Sequence, residues 1–318
     1  VAEAALKGAD TGYDVGRLSP ILEELQTEAR IRHWVKGDIW YPRKRYPHPE
    51  VSIRGAGQTY AIVKEDGVVL GESSASRVFT DLHPGAVYLH KGPQFTVARL
   101  YKGEKKAVVR PANDIYYYTR PMTEEETEII TVDAERKLAG TTLCFGTLRV
   151  TGRVLGYRKI HTHTGASLGE FTLELPPSVF TTKGVWFKVP EDTLEEIKAR
   201  KWSPSGSLHA AEHAAIAALP LFTLCDRMDL GGVSYPYNPE LASPAIFIYD
   251  GHEGGVGLTG RGLECAPEWF ASTIRLMEEC DCEVACPSCT QDPKCGNNNE
   301  PLDKRGAIFL LKRILGEG

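Results

Sequence analysis

The stretch Cys280-Asp-Cys282-Glu-Val-Ala-Cys286-Pro-Ser-Cys289 places four cysteines within ten residues. Zinc takes four deprotonated thiolates at about 2.3 Å in a tetrahedron, which short turns deliver well. Cys286-Pro-Ser-Cys289 has the two-residue spacing of a zinc knuckle, and Cys280-x-Cys282 is a tighter supplier. Cys295 follows as a fifth candidate and an alternate ligand, so one of the five is spare. Four thiolates leave no position for water, and the expected Zn2+ site is therefore structural. Free or redox-active thiols are the alternative that this spacing disfavours.

Outward from the cysteines, the chain changes texture twice. Residues 267–279 have the pattern of a helix leading into the cluster, and residues 307–315 that of a closing helix. An Ala-rich helix over 207–219 stops at Pro220, an apolar strand covers 245–249, and a glycine-rich loop runs from 250 to 262. Residues 191–318 thus read as an α/β domain holding the zinc site. Before them, residues 48–190 are strand-rich, with short β-branched and aromatic runs at 60–63, 67–70, 87–90, 95–100, 107–110, 115–118, 129–132 and 147–150. Many short strands between turn signals predict a barrel or sandwich. Residues 1–47 begin as a helix with Ser19 as N-cap and Pro20 at the first helical position. The fold class is α+β.

Composition sets the outer limits. The 318 residues are 42% hydrophobic and 25% charged, ordinary for a globular protein, with a net charge of −5. No apolar run approaches the roughly 18 residues that span a bilayer. Val1-Ala-Glu-Ala has neither the basic nor the apolar stretch of a secretory signal, so no membrane and a cytoplasmic location are expected. In that setting clustered cysteines read as metal ligands rather than as disulfides. The charge is uneven: Arg32, Lys36, Arg43, Lys44, Arg45 and Arg54 stand against Asp38 and Glu50, while acid concentrates in 124–128.

The first basic stretch interleaves aromatics. Trp34, Trp40, Tyr41 and Tyr46 lie among Arg43, Lys44 and Arg45, and stacking faces beside phosphate-binding cations suit single-stranded DNA. Trp34, Trp40, Arg43, Lys44, Arg45 and Arg54 are the candidate DNA contacts. The plainer reading is a domain junction with the tryptophans in a core.

Two further constellations carry weaker chemistry. His209 and His213 share one helix face, and Asp250 and His252 sit at a strand end, so the four together would suit a metal-dependent nuclease or hydrolase. The simpler expectation is that the histidines pack an Ala-rich helix against a sheet, leaving one zinc per chain. Gly255-Val-Gly-Leu-Thr-Gly260-Arg261-Gly262 has the glycine spacing of a phosphate loop, but Arg261 stands where that motif needs Lys and Gly262 where it needs Ser or Thr. An ATPase motor is therefore not expected in this segment.

His209-Ala-Ala-Glu-His-Ala, Phe247-Ile-Tyr-Asp with Gly254-Gly-Val-Gly-Leu, the cysteine cluster, and Lys294-Cys-Gly-Asn-Asn-Asn-Glu-Pro-Leu-Asp resemble the C-terminal zinc-binding domain of MrfA/SftH-type superfamily 2 DNA helicases. Val51-Ser-Ile-Arg-Gly and Thr181-Thr-Lys-Gly-Val-Trp186 look like the preceding segment of that family. The resemblance implies a winged-helix-like remnant over 1–47 and zinc held by Cys280, Cys282, Cys286 and Cys289. It also implies an ATP-dependent 3′-to-5′ helicase active in DNA repair, with ATP and Mg2+ bound by motor domains of the same protein outside this chain. A stand-alone zinc module for protein interaction is a further alternative.

Overall fold

The computed structural model describes residues 5–8, 15–45, 59–75 and 77–317. The chain divides into two compact units, Val1–Ala56 and Gly57–Gly318. In the first, β1 (Leu6–Lys7), β2 (Ile31–Trp34) and β3 (Ile39–Pro42) form an antiparallel sheet of order β1-β3-β2 beside α1 (Val15–Thr27). Val15, Leu18, Leu22 and Leu25 recur at helical spacing and pack with Leu6, Ile31 and Trp40. The helix starts earlier than expected. Ser19 is not its cap but lies within it, donating to the Val15 carbonyl at 3.2 Å, and Pro20 is internal. Burying Val15 and Leu18 outweighs the one backbone hydrogen bond that proline cannot make.

The second unit contains two sheets. Strands β4 (Thr59–Lys64), β5 (Val69–Ser74), β6 (Val87–Leu89), β7 (Gln94–Tyr101) and β8 (Lys106–Pro111) lie in the order β5-β4-β8-β7-β6, with α2 (Val78–Asp81) against them. The other sheet is built on a long hairpin of β9 (Tyr117–Lys137) and β10 (Thr142–His161). It adds β11 (Ser167–Thr172) on one side of β10 and β12 (Ser178–Lys188) on the other, followed by β14 (Ser243–Asp250) and β13 (Leu230–Asn238). Strands from either side of residue 190 therefore share one sheet.

The acidic run explains why β9 is longer than the sequence suggests. Its side chains alternate: Glu126 and Glu128 meet Arg153 and Arg149 of β10 on the exposed side. Glu125 and Thr127 turn inward, to the hydroxyls of Tyr249 and Tyr235. A run without apolar residues can thus form a half-buried strand when each inward polar group finds a partner.

Helices cover one face of this sheet: α3 (Glu191–Ala199), α4 (Pro204–Ala218), α5 (Pro220–Thr223), α6 (Leu258–Glu264), α7 (Ala266–Glu278) and α8 (Lys304–Leu315). Ser203 caps α4, accepting from the Gly206 amide at 3.1 Å, and Pro204 takes the first helical position. Ala210, Ala211, Ala214, Ala215 and Ala218 are buried, so α4 approaches its neighbours closely. The tightest crossing is with α8, where a Cβ on Gly306 would overlap the Ser207 hydroxyl. Among the described residues no helix is long and apolar enough to cross a membrane.

One buried polar group lies near the junction of the sheets. His83 is fully buried, its ring 4.6 Å from that of Tyr157 on β10, and its Nδ1 lies 3.1 Å from the Pro84 carbonyl. Its Nε2 is the buried side-chain nitrogen without a partner among the described residues. Burial holds the imidazole below its ordinary pKa of 6.5, although the Pro84 carbonyl opposes the shift. The unfolded chain therefore binds the proton more readily. Stability should be independent of this group above about pH 6.5 and fall as pH drops below it, by up to about 1.4 kcal/mol per unit. His83→Phe should flatten that part of the acid limb in urea melts between pH 5 and 7. A slope equal to that of the wild type would remove His83 from the account.

Candidate metal centre

Helix α7 ends at Glu278, and the chain turns through Cys280 and Cys282 before the Cys286-Pro-Ser-Cys289 knuckle. The sulfurs of Cys280 and Cys286 are 3.4 Å apart, those of Cys282 and Cys289 3.4 Å, and those of Cys286 and Cys289 3.7 Å. All eight cysteines are free. Sulfurs at tetrahedral positions 2.3 Å from one ion would be about 3.8 Å apart, so the four fit a single zinc closely. Burial opposes ionisation of Cys286, yet hydrogen bonds led by that from Cys280 outweigh it and bring the thiol to about 6. Cys282 is pushed up to about 12 by burial and by bonds to the other three thiols.

A lysine that the sequence reading did not single out completes the surroundings. Lys304, at the start of α8, is buried and its ammonium donates to the carbonyls of Cys280, at 2.8 Å, and Cys282. Such a charge offsets the excess negative charge that four thiolates leave around a divalent ion. Asp303 caps α8 through the Gly306 amide at 3.1 Å and accepts from the Ser203 amide at 2.8 Å, tying together the starts of α8 and α4. The signal was present in the sequence as Leu-Asp-Lys before an apolar helix, but only the fold aims it at the cysteines.

Cys295, expected as an alternate ligand of the cluster, does not join it. Its sulfur lies 3.4 Å from Nε2 of His209, and with His213 it makes a second group of potential ligands within 4.8 Å of one another. His209 Nδ1 donates to the Pro301 carbonyl and His213 Nδ1 to the Thr290 carbonyl, each at 2.9 Å. Burial depresses the pKa of His209, and burial together with the His209 charge takes His213 to about 4. The three residues open onto a cleft of about 460 Å³, also lined by Glu125, Glu212 and Tyr249. Burial raises Glu212 to about 8, against a hydrogen bond with Ser234.

Asp250 and His252 are placed elsewhere, and the four-residue nuclease constellation is not assembled. Asp250 is fully buried at the end of β14 and accepts from the amides of Val256, Gly257, Leu258 and Thr259 at 2.7, 2.8, 3.2 and 2.9 Å. The Thr259 hydroxyl adds a fifth bond at 2.8 Å. In the phosphate-loop-like glycine stretch, the amides that would cradle a phosphate instead hold the chain's own carboxylate. His252 lies 3.0 Å from Asp229.

The candidate DNA contacts fall on both faces of the β2–β3 hairpin. Trp40 stacks on His33 at 4.1 Å and packs with the α1 core. The register pairs Arg32 with Tyr41 and Trp34 with Ile39 on the opposite face. There Trp34, Tyr41, Arg32 and Arg43 are exposed, as are Lys44 and Arg45 beyond the strand. Alternation brings forward Arg32, absent from the candidate set, and takes Trp40 to the other face. Arg54 lies outside the described residues.

The MrfA Zn-binding domain family matches residues 211–290, a span that contains the four-cysteine cluster. The ATP-dependent helicase YprA of Bacillus subtilis (strain 168) is 27% identical over 299 residues, 88% of this chain and 38% of YprA. An uncharacterised protein of Methanocaldococcus jannaschii is 40% identical over 111 residues, 34% of this chain and 99% of that protein. In structure the chain resembles the helicase MrfA bound to DNA, with a TM-score of 0.56 and 26% identity, over 93% of this chain and 39% of MrfA. It thus spans well under half the length of these helicases. The zinc-binding domain, the helicase relatives and the shared fold together make the chain similar to the C-terminal region of MrfA-type helicases.

Proposed function

We propose that this chain is the accessory C-terminal region of an ATP-dependent DNA helicase acting in DNA repair. In this reading Cys280, Cys282, Cys286 and Cys289 hold a structural zinc, and the outer face of the β2–β3 hairpin contacts DNA. ATP and Mg2+ belong to motor domains of the same protein, which convert hydrolysis into movement along the strand. The observation that carries the reading is the likeness to DNA-bound MrfA over 93% of the chain. The electrostatics are compatible with it. The hairpin carries Arg32, Arg43, Lys44 and Arg45 beside the exposed rings of Trp34 and Tyr41, although the whole chain has a net charge of −5.

A cation that neutralises a phosphate releases a counterion, so binding weakens with salt in proportion to such contacts. The chain should bind a single-stranded oligonucleotide with strongly salt-dependent affinity. Changing Arg43, Lys44 and Arg45 to Gln together should reduce the slope of log affinity against log salt by about 0.7 per lost contact. Trp34→Ala should weaken binding with little change of slope, by about 1–3 kcal/mol if a base stacks there. Fluorescence anisotropy over a salt series reads both. An unchanged slope and affinity in the two variants would take the hairpin out of the DNA path.

A further inference from the structure

His209 and Cys295 both lie outside the span matched to the zinc-binding domain, residues 211–290, and neither is needed by the four-cysteine cluster. Yet the fold brings them together with His213 from segments 86 residues apart. The donor chemistry is specific. A carbonyl only accepts, so the bonds to Pro301 and Thr290 put a proton on Nδ1 of each histidine and leave Nε2 with the lone pair. Histidines that bind metals are held in this way, with the ring nitrogen away from the metal fixed by a backbone carbonyl or carboxylate. The Cys295 sulfur is supported as well, accepting from the Asn299 amide at 3.3 Å. A thiol proton shared with one imidazole accounts for the His209 Nε2 alone, whereas a ring nitrogen from each histidine and a sulfur within 4.8 Å of one another suit one ion.

We propose that His209, His213 and Cys295 form a second metal site that takes zinc or a similar borderline divalent ion. Two imidazoles and one thiolate match that class and are poor ligands for Mg2+ or Ca2+. Three protein ligands leave a fourth position, and these three residues line the cleft, so water or a small donor entering it can occupy that place. The ion fastens the segment carrying Cys295 to α4. Binding displaces the Cys295 thiol proton to solvent, and no redox step is involved. Thr290 connects the two metal sites, since its carbonyl accepts the hydrogen bond from His213 Nδ1 and its hydroxyl lies 3.6 Å from the Cys289 sulfur.

The test is metal stoichiometry on the full chain, loaded with excess ZnCl2, desalted and measured by elemental analysis. Wild-type protein should hold two equivalents, and Cys295→Ser and His213→Ala one each. Cys282→Ser, which removes a ligand of the four-cysteine cluster and none of the second group, should also hold one, so failure of that site and failure of this one leave different patterns. One equivalent in the wild type, with none in Cys282→Ser, would overturn the proposal, as would two retained in both Cys295→Ser and His213→Ala. Should Cys295→Ser not fold, cobalt titration of the wild type decides. A second equivalent with the ligand-field bands of a mixed nitrogen–sulfur site supports the proposal, and saturation at one equivalent of four-thiolate cobalt overturns it.

Discussion

Cys289→Ser should lower the metal content by one zinc per chain and the melting temperature by about 10 °C, the largest effect expected of a single atom change here. The argument begins with packing. Cys289 is almost fully buried and belongs to the same apolar core as α4, α7 and α8, so the cluster is part of the helical layer. Structural zinc contributes about 10–16 kcal/mol to folding in small peptides that have little else to hold them. This core contains Trp269, Phe270 and Leu310 besides, so only part of the layer depends on the ion, and a loss of about 3–5 kcal/mol is expected. At about 2–4 °C per kcal/mol for a unit of this size, that gives the stated shift. Cys144→Ser, on β10 outside the cluster, is the control and should leave the zinc content unchanged. Equal metal content and equal melting in Cys289→Ser and wild type would refute a zinc held by these four thiols.

The cysteine cluster was legible because its geometry is local. Four ligands within ten residues need only a helix end and a tight turn, and both are written in the same stretch. The strands at 60–63, 95–100 and 245–249 were legible for a similar reason, since their apolar residues name the buried face directly. The joining of 117–118, the end of the expected run at 115–118, with 129–132 into one 21-residue strand was not. Glu124 to Glu128 offers no apolar face, and what engages Glu125 is the Tyr249 hydroxyl, 124 residues away in sequence. The same limit hid Cys295. Its spacing from Cys289 suggested a spare ligand of the first site, while its true neighbour, His209, is supplied by a helix that packs alongside. Trp40 and Arg32 exchanged places because stretches rich in Trp and Arg do not say which face of a hairpin points inward. The β2–β3 register says it.

Asp250→Ala separates the two meanings this residue had in sequence. As a metal ligand or general base, it would lose chemistry on truncation and leave the fold largely intact. In the structure its two oxygens accept five hydrogen bonds from the loop 256–259, four of them from backbone amides, with no exposure to solvent. Alanine leaves those five donors without their acceptor in a site closed to solvent. Each hydrogen bond to a charged group contributes about 1.5–3 kcal/mol, and water entering the gap recovers part of the loss. A net cost of about 3–5 kcal/mol follows, or about 10 °C in melting temperature. Asp250→Asn should be intermediate, because it keeps one acceptor oxygen while turning an NH2 group toward amides that also donate. Zinc content should stay at the wild-type value in both variants, since neither candidate metal group includes Asp250. Thermal melts paired with elemental analysis decide the matter. Unchanged melting with loss of a metal equivalent would restore Asp250 as a ligand, and the glycine loop would then need another anchor.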